Sequence, residues 1–149
     1  MLRKSFILIF IILLIAIIIS AIGINANANK LATQKQANKE YEQYKNKEIY
    51  GTDVVSLINK AVNENKNNNI ELDENEKYIQ NETNSINIEV VLITNEEKLE
   101  TTTYSMETIQ KVGISEFISN FNTAKFRITK LEYHEKTGRI KYIEITQQY

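Results

Sequence analysis

Few side chains in this sequence have the types and spacing that catalysis or metal binding requires. His134 is the only histidine, and the chain has no cysteine, which removes thiol nucleophiles, disulfides and thiolate metal sites. A general base also needs an orienting partner and a site protected from water. His134 instead stands close to Gly138, where a tight turn is expected. We therefore predict that His134 is an exposed turn residue.

Carboxylates are the other candidates for chemistry. The chain has nineteen acidic residues, so some must lie close together, and an enzyme using paired carboxylates is one hypothesis. The acidic stretch 73–76 does not start a helix–loop–helix calcium site, which needs glycine at position six and glutamate at position twelve. Tyr78 and Asn84 occupy those positions. The sequence also has no phosphate-binding glycine motif. We predict a solvated loop here and a chain with no enzymatic activity, cofactor, metal or small-molecule substrate.

The elements that would position any site begin with an apolar segment. Residues 6–24 read FILIFIILLIAIIISAIGI and follow Arg3 and Lys4. As a helix the segment would be roughly 28 Å long, close to the ~30 Å hydrocarbon core of a membrane. We interpret it as a retained transmembrane helix, because it is long and rich in isoleucine. A secretory signal cleaved after Ala28 and a buried soluble helix are the alternatives.

The charges that flank this segment predict its orientation. Arg3 and Lys4 adjoin the apolar run, whereas Lys30 is separated from it by residues 25–29. The positive-inside rule then places a basic tip, residues 1–5, in the cytoplasm and residues 25–149 outside the cell membrane. The expected partner of residues 6–24 is membrane lipid.

Small residues in the apolar segment form a possible helix–helix contact. Ala16, Ser20 and Gly23 are spaced by four and three residues, and helices in lipid meet through such small-residue faces. Residues 25–50 are predicted to be a helical stalk that Gly51 interrupts. Tyr41 and Tyr44 would continue the contact along the stalk, or pack against the domain that follows. The alternative is that the small residues simply face lipid.

Residues 51–149 have the pattern of a small α+β domain. A helix over residues 53–64 is predicted from one apolar stripe with helical spacing. Two strands, residues 86–93 and 100–104, are expected to form a hairpin, and residues 105–121 to form two short helices separated at Gly113. The stripe consists of Val54, Leu57, Ile58, Ala61 and Val62.

The last 25 or so residues are predicted to form a second hairpin around Gly138. The alternation of apolar residues predicts four cross-strand pairs: Tyr133 with Ile140, Leu131 with Tyr142, Lys130 with Ile143, and Ile128 with Ile145. We expect this hairpin to lie beside residues 86–93. The predicted fold is thus α+β: a transmembrane helix, a helical stalk, and a mostly antiparallel sheet of about four strands with one packed helix.

The charge distribution is uneven along the sequence. Residues 64–107 contain eleven acidic residues and three lysines, between two weakly basic segments. An acidic domain argues against nucleic-acid binding. A solvated face is the simplest interpretation, and attraction between opposite faces of neighbouring copies is another.

The order of basic tip, apolar helix, polar stalk and small sheet domain resembles that of type IV pilins and pseudopilins. Residues Tyr44 to Asn69, YKNKEIYGTDVVSLINKAVNENKNNN, resemble the segment after the stalk in membrane-anchored, pilin-like proteins of Gram-positive bacteria. The resemblance covers residues 1–69, and Phe10 stands where pilins carry a glutamate. It implies processing before Phe6 as a further fate of the N-terminus.

Two functions follow as hypotheses. The first is a non-enzymatic structural or assembly subunit of a pilus-like or secretion-type surface apparatus, which self-associates or binds other components of that apparatus. The second is a membrane-tethered or secreted extracytoplasmic binding module that uses the acidic segment as its contact surface.

Overall fold

The computed structural model of the chain describes residues 12–20, 32–95, 97–98 and 100–149. The chain divides into two compact units, Met1–Gln36 and Ala37–Tyr149. In the first unit, residues 12–20 are helical and their side chains are exposed. Helix α1 comprises residues 32–42 and ends in a series of turns. It therefore stops eight residues before the end of the helical stalk predicted from the sequence.

Most of the predicted transmembrane segment lies outside the described residues, as do Gly23 and the possible cleavage site after Ala28. Within the parts of the chain that the structure describes, no helix has the length and apolar character needed to cross a membrane.

The second unit is an α+β domain built on one five-stranded sheet. The strands are β1 (Ile49–Tyr50), β2 (Asn87–Asn95), β3 (Glu100–Ser105), β4 (Lys125–Tyr133) and β5 (Ile140–Gln147). The helices are α2 (Gly51–Asn67), α3 (Met106–Val112) and α4 (Ile114–Phe121). The strand order is β1-β4-β5-β2-β3.

The ladders of this sheet are antiparallel except for the one between β2 and β5. The predicted α+β class and the position of the last hairpin beside β2 are therefore confirmed. The sheet is mixed, however, and has one strand more than expected. The extra strand is β1, whose two residues had been assigned to the end of the stalk.

Helix α2 buries the predicted apolar stripe. Each of the five stripe residues is at most 2% exposed, so the helical periodicity identified the core-facing side correctly. The helix is longer than predicted at both ends because it starts at Gly51 and continues to Asn67. Asp53 lies in its first turn, and its carboxylate accepts a hydrogen bond of 2.9 Å from the backbone N–H of Tyr50.

Gly51 lets the start of α2 touch the end of α4. A Cβ atom at this position would lie 2.2 Å from the carbonyl oxygen of Phe121 and 2.7 Å from its carbonyl carbon. Only a residue without a side chain allows two backbones to come this close. The glycine that was expected to interrupt a helix is in fact the contact point between two helices.

The core lies between one face of the sheet and helices α2, α3 and α4. Alternate residues of β2 and β5 point into it, among them Ile88, Val90 and Ile143, each completely buried. Three phenylalanine rings from α4 and β4 close one end, with centroid separations of 5.0, 6.3 and 6.4 Å. The opposite face of the sheet carries half-exposed polar and apolar side chains.

The β4–β5 hairpin matches the predicted register at its two ends only. Tyr133 pairs with Ile140 and Ile128 with Ile145, as expected, but Leu131 pairs with Ile143. The ladder is irregular between Ile128 and Lys130 and again between Glu132 and Tyr133.

Thr129 supplies the physical reason for this difference. The irregularity places an extra residue in β4 at Thr129, and the hydroxyl of Thr129 donates a 2.7 Å hydrogen bond to the carboxylate of Glu144. A bulge of this kind shifts the following residues by one position. Leu131 thereby reaches the core side next to Ile143, without the change of face that the sequence pattern suggested.

Candidate functional site

A network of polar side chains in the α+β domain lies where the end of α1 meets α2 and the β4–β5 hairpin. We call it the α1 joint. Its side chains are contributed by four residues of α1 and four from elsewhere in the domain. These are Asn38, Glu40, Tyr41 and Glu42, with Lys60, Glu64, Tyr133 and Arg139.

Asn38 attaches α1 to the backbone of the hairpin. Its side-chain amide donates a 2.7 Å hydrogen bond to the carbonyl oxygen of Gly138, and its side-chain oxygen accepts one of 3.0 Å from the N–H of Ile140. One side chain thus satisfies a donor and an acceptor at the start of β5, as a neighbouring strand would. The two contacts join residues separated by 100 and 102 positions in the sequence.

Tyr41 is the apolar centre of the joint. Its side chain is 1% exposed, and its hydroxyl donates a 3.2 Å hydrogen bond to Glu64. The ammonium of Lys60 lies 5.4 Å from the centre of its ring, which is within the range of a cation–π interaction. Burial, followed by the negative charge of Glu64, raises the pKa of Tyr41 well above its usual range.

Glu64 connects the three elements of the joint. One carboxylate oxygen lies 3.0 Å from the guanidinium of Arg139, and the other lies 3.2 Å from the ammonium of Lys60. Lys60 also forms an ion pair with Glu40 on α1. The side chains of Glu64 and Arg139 are only 17% and 20% exposed, so water screens this pair less than the surface pairs of the domain. The network therefore holds residues 38–42, the end of α1, on the rest of the domain.

The candidate helix–helix residues are found in different settings. The hydroxyl of Ser20 donates a 2.8 Å hydrogen bond to the carbonyl oxygen of Ala16 within its own helix, and Gly23 lies outside the described residues. Of the two partners expected for the tyrosines, the domain of the same chain is the one that both contact. Tyr41 is buried there, and Tyr44 packs at the edge of the core.

Of the eight residues of the joint, sequence reasoning singled out only Tyr41 as a contact residue. The spacing of Lys60 and Glu64, four residues apart on one helix, is a signal that could have indicated their ion pair. Asn38 belongs to a stretch of polar residues with no distinguishing pattern, and its partners are about a hundred residues away. No local signal in the sequence identifies such a contact.

The prediction that His134 is exposed is wrong. The side chain is 3% exposed, and its Nε2 atom lies 2.7 Å from the carbonyl oxygen of Ser85. A carbonyl can only accept, so Nε2 must carry the proton and donate. The loop before β2 folds over the hairpin turn and buries the ring; Thr137 fastens that loop by donating to the carbonyl oxygen of Thr83 at 2.6 Å.

The acidic stretch 73–76 is an exposed loop, as predicted. The carboxylate of Asp73 accepts hydrogen bonds of 2.9 Å from the backbone N–H groups of Asn75 and Lys77. It therefore stabilises its own turn. Among the described residues there is no cluster of three or more histidine and acidic side chains suited to hold a metal ion.

Parts of the acidic segment 64–107 serve contacts inside the domain. Glu89 accepts a 2.8 Å hydrogen bond from the hydroxyl of Tyr142 on the half-exposed face of the sheet, and Glu107 accepts one of 3.2 Å from the N–H of Tyr78. The loop between α2 and β2 is different, because its acidic residues are exposed. They are Glu71, Asp73, Glu74, Glu76 and Glu82.

In comparisons with known proteins, no protein-family model, curated protein or solved structure matches this chain.

The free energy of unfolding is expected to fall as the pH rises above about 10, where tyrosine titrates in an unfolded chain. Burial, followed by the hydrogen bond to Glu42, raises the pKa of Tyr133 to about 12. The folded state therefore retains a proton that the unfolded state loses. This stabilisation is complete below pH ~10 and disappears between pH ~10 and ~12. Burial also raises the pKa of Tyr41 and Tyr142, which acts in the same direction.

Urea unfolding followed at several pH values between about 8 and 11.5, where tyrosine begins to ionise, measures this effect. Tyr133→Phe should flatten the alkaline loss, because that variant has one shifted proton fewer. Tyrosinate absorbance gives a second readout that no tryptophan obscures, since the chain has eight tyrosines and no tryptophan. Constant stability up to pH ~11 would contradict the assignment.

Proposed function

We propose that this chain is a non-enzymatic, single-pass membrane protein of a bacterial cell surface. It serves as a structural or assembly subunit of a pilus-like or secretion-type apparatus. In this proposal residues 6–24 form the transmembrane helix, helix α1 follows it in the chain in place of the longer stalk predicted from the sequence, and the N-terminus is cytoplasmic. The α+β domain is displayed outside the membrane.

The α1 joint is the observation that carries the proposal. A domain tethered through its N-terminal side must transmit any load through the residues at which the tether enters. Here those residues are Asn38, Tyr41 and Glu42, and each bonds to a different part of the domain: the hairpin backbone, Glu64 and Tyr133. Connections to three separate elements distribute such a load across the fold.

The apolar sequence supplies the second support. Residues 12–20, the described part of the run, are helical and expose large apolar side chains such as Ile17, 62% exposed, and Ile19, 63% exposed. A helix with apolar side chains on all sides is favoured in lipid and disfavoured in water. Ser20 satisfies its hydroxyl within the helix, as a serine in hydrocarbon needs to do.

Membrane extraction of the full chain in a Gram-positive host tests the proposal. We expect the chain to stay in the membrane fraction after alkaline carbonate washing, with a C-terminal tag open to protease added outside the cell. The double variant Leu14→Lys and Ile18→Lys should leave that fraction, because two charges at the centre of the helix oppose insertion. The matched control, Leu72→Lys with Ile79→Lys, changes two exposed apolar residues of the domain and should remain.

Mass spectrometry of the native chain then distinguishes the fates of the N-terminus. An intact chain supports a plain anchor, and a start at Phe6 supports processing of the pilin type. A start at Asn29 means secretion and overturns the anchor. Wild-type chain in the soluble fraction also overturns it. Genes for a pilus-type ATPase and a polytopic platform protein beside the gene for this chain would favour the assembly role.

The second candidate function is a tethered or secreted binding module. It is favoured by the exposed acidic loop between α2 and β2. Binding to a basic partner through that loop would weaken as salt is added, and replacing Glu71 and Glu74 by glutamine would reduce it. An unchanged affinity in that variant would remove the loop as the contact surface.

A further inference from the structure

Strand β3 leaves one edge of the sheet open. Within the residues that the structure describes, β3 pairs with β2 alone and stands last in the strand order. Natural edge strands are protected by lysine, proline, bulges or very short length. The other edge strand, β1, has two residues. In contrast, residues 101–105 have no charge and no proline, and their ladder to β2 is regular.

A largely apolar cavity of about 170 Å³, whose lining also includes Thr108, Glu116 and Asn120, lies beside this edge. Its apolar lining includes Leu92, Tyr104, Ile109, Val112 and Phe117. A cavity of about 150 Å³ is large enough for a benzene ring. Val112 at its rim is 59% exposed, although it is a large apolar side chain.

The strand register places Thr102 opposite Leu92, which lines the cavity. Thr102 pairs with Leu92 and Tyr104 pairs with Val90, and both of these β2 residues are buried in the core. Thr102 and Tyr104 therefore lie on the core face of β3, where the cavity is. Thr101, Thr103 and Ser105 lie on the other face. A strand added to β3 would place its core-facing side chains at the mouth of the cavity.

We propose that the occupant is β3 of a second copy of this chain, paired antiparallel about Thr103. A twofold axis perpendicular to the sheet keeps the core faces of both copies on the same side. A residue on the core face of one β3 must therefore pair with a residue on the core face of the other. In this register Thr103 faces Thr103 of the partner subunit and Thr102 faces Tyr104 of the partner subunit. Tyr104, which lines the cavity of its own copy, then lies beside Thr102 of the partner subunit, and the paired strands border both cavities.

The sequence of β3 suits pairing with itself. The paired stretch, residues 101–105, contains three threonines, a tyrosine and a serine, and threonine–aromatic pairs across strands are favourable. Glu100 is the only charged residue of the strand, and it lies outside the paired stretch. The two Glu100 side chains are roughly 20 Å apart along the strand direction, beyond the ~8 Å Debye length of physiological salt. No like charges face each other within the paired stretch.

The inference rests on the proposed function in one respect. Anchoring copies in the same membrane raises their effective concentration, which favours a pairing of five residues that would be weak between freely diffusing chains.

Single-cysteine crosslinking of the full chain in lipid vesicles tests the pairing. The chain has no cysteine, so each variant has one thiol. Thr103→Cys should form a disulfide dimer under mild oxidation, because residues directly opposite lie about 4.5–5.5 Å apart, within the disulfide range. We expect at least tenfold more dimer than for Thr123→Cys, an exposed threonine in the turn after α4.

The register has its own test. In Thr102→Cys the two thiols are on diagonal positions, about 7–8 Å apart, so this variant should remain near the control level. Mixing Thr102→Cys with Tyr104→Cys should restore the crosslink. Val112→Glu, added to Thr103→Cys, should reduce the dimer several-fold by placing a charge at the cavity beside the paired strands. Ile79→Glu, an exposed apolar residue elsewhere, should not.

Failure of this inference and failure of the anchor are distinguishable, because dimer is scored separately in the vesicle and aqueous fractions. Chain in the aqueous fraction counts against the anchor alone. Thr103→Cys with no more dimer than Thr123→Cys in either fraction, for protein with the wild-type melting temperature, overturns the pairing. Equal crosslinking of Thr102→Cys with itself overturns the register. Adducts of Thr103→Cys with other proteins only would mean a foreign strand and also overturn the proposal.

Discussion

Gly51→Ala is expected to lower the free energy of unfolding by about 3 kcal/mol or more, at the upper end of the effect of overpacking a core. The added Cβ would lie 2.2 Å from the carbonyl oxygen of Phe121. That atom belongs to the backbone, so no side-chain rotation relieves the clash, and α2 or the end of α4 must move. Phe121 also belongs to the three-phenylalanine cluster, so this cluster would be disturbed as well. Urea unfolding of the variant and the wild type measures the loss.

Gly138→Ala is the matched control, because it is a glycine with a different requirement. Gly138 has a φ angle of +65° and nothing within 4 Å of the position of a Cβ atom. Its replacement adds the strain of a left-handed backbone, about 1–2 kcal/mol, and no clash. Equal losses in the two variants would show that α2 and α4 are not in backbone contact at Gly51.

Tyr41→Ala is the second large effect, with an expected loss of about 3–5 kcal/mol, the usual range for removing a buried aromatic side chain. The variant removes the centre of the α1 joint and leaves Glu64 without one of its donors. Because Asn38 and Glu42 flank the lost ring on the same helix, their hydrogen bonds to the hairpin should also weaken. We expect residues 37–44 to lose protection against amide hydrogen exchange, while β2 and β5 keep theirs.

Tyr41→Phe separates the two roles of this side chain. It keeps the ring in the core and removes only the hydroxyl that donates to Glu64, so a loss of about 1 kcal/mol is expected. Unchanged exchange protection of residues 37–44 in Tyr41→Ala would contradict the idea that this ring holds α1 on the domain.

Periodic apolar patterns in the sequence predicted much of the fold. The stripe of α2 was correct because a helix that packs on a sheet repeats its buried residues every three or four positions. The ends of the β4–β5 hairpin were correct because Tyr133 and Ile140 flank a turn of fixed length. The two short helices were also found, with Ser105 capping α3 through the backbone N–H of Thr108 at 3.3 Å.

Features that depend on contacts between residues far apart in the sequence could not be predicted from apolar periodicity. The bulge at Thr129 is set by the side chain of Glu144 across the hairpin, and two-residue strand β1 is too short to show a period. His134 was assigned to the surface because turns are normally exposed. Its burial depends on a loop some fifty residues earlier in the sequence. The same limit applies to the α1 joint. The role of Asn38 depends on its hydrogen bonds to the backbone of Gly138 and Ile140, which lie about a hundred residues later in the sequence.

The central position of β5 has a consequence for the order of events in making this protein. β5 lies between β4 and β2, and Ile140 at its start is also a partner of Asn38, 102 residues earlier. A nascent chain that lacks β5 can form the β2–β3 hairpin and helix α2. It cannot join β4 and β1 to that hairpin, because β5 is the strand between β4 and β2. Topologies dominated by such distant pairings fold slowly. The domain therefore completes its sheet only after its last strand has been translated.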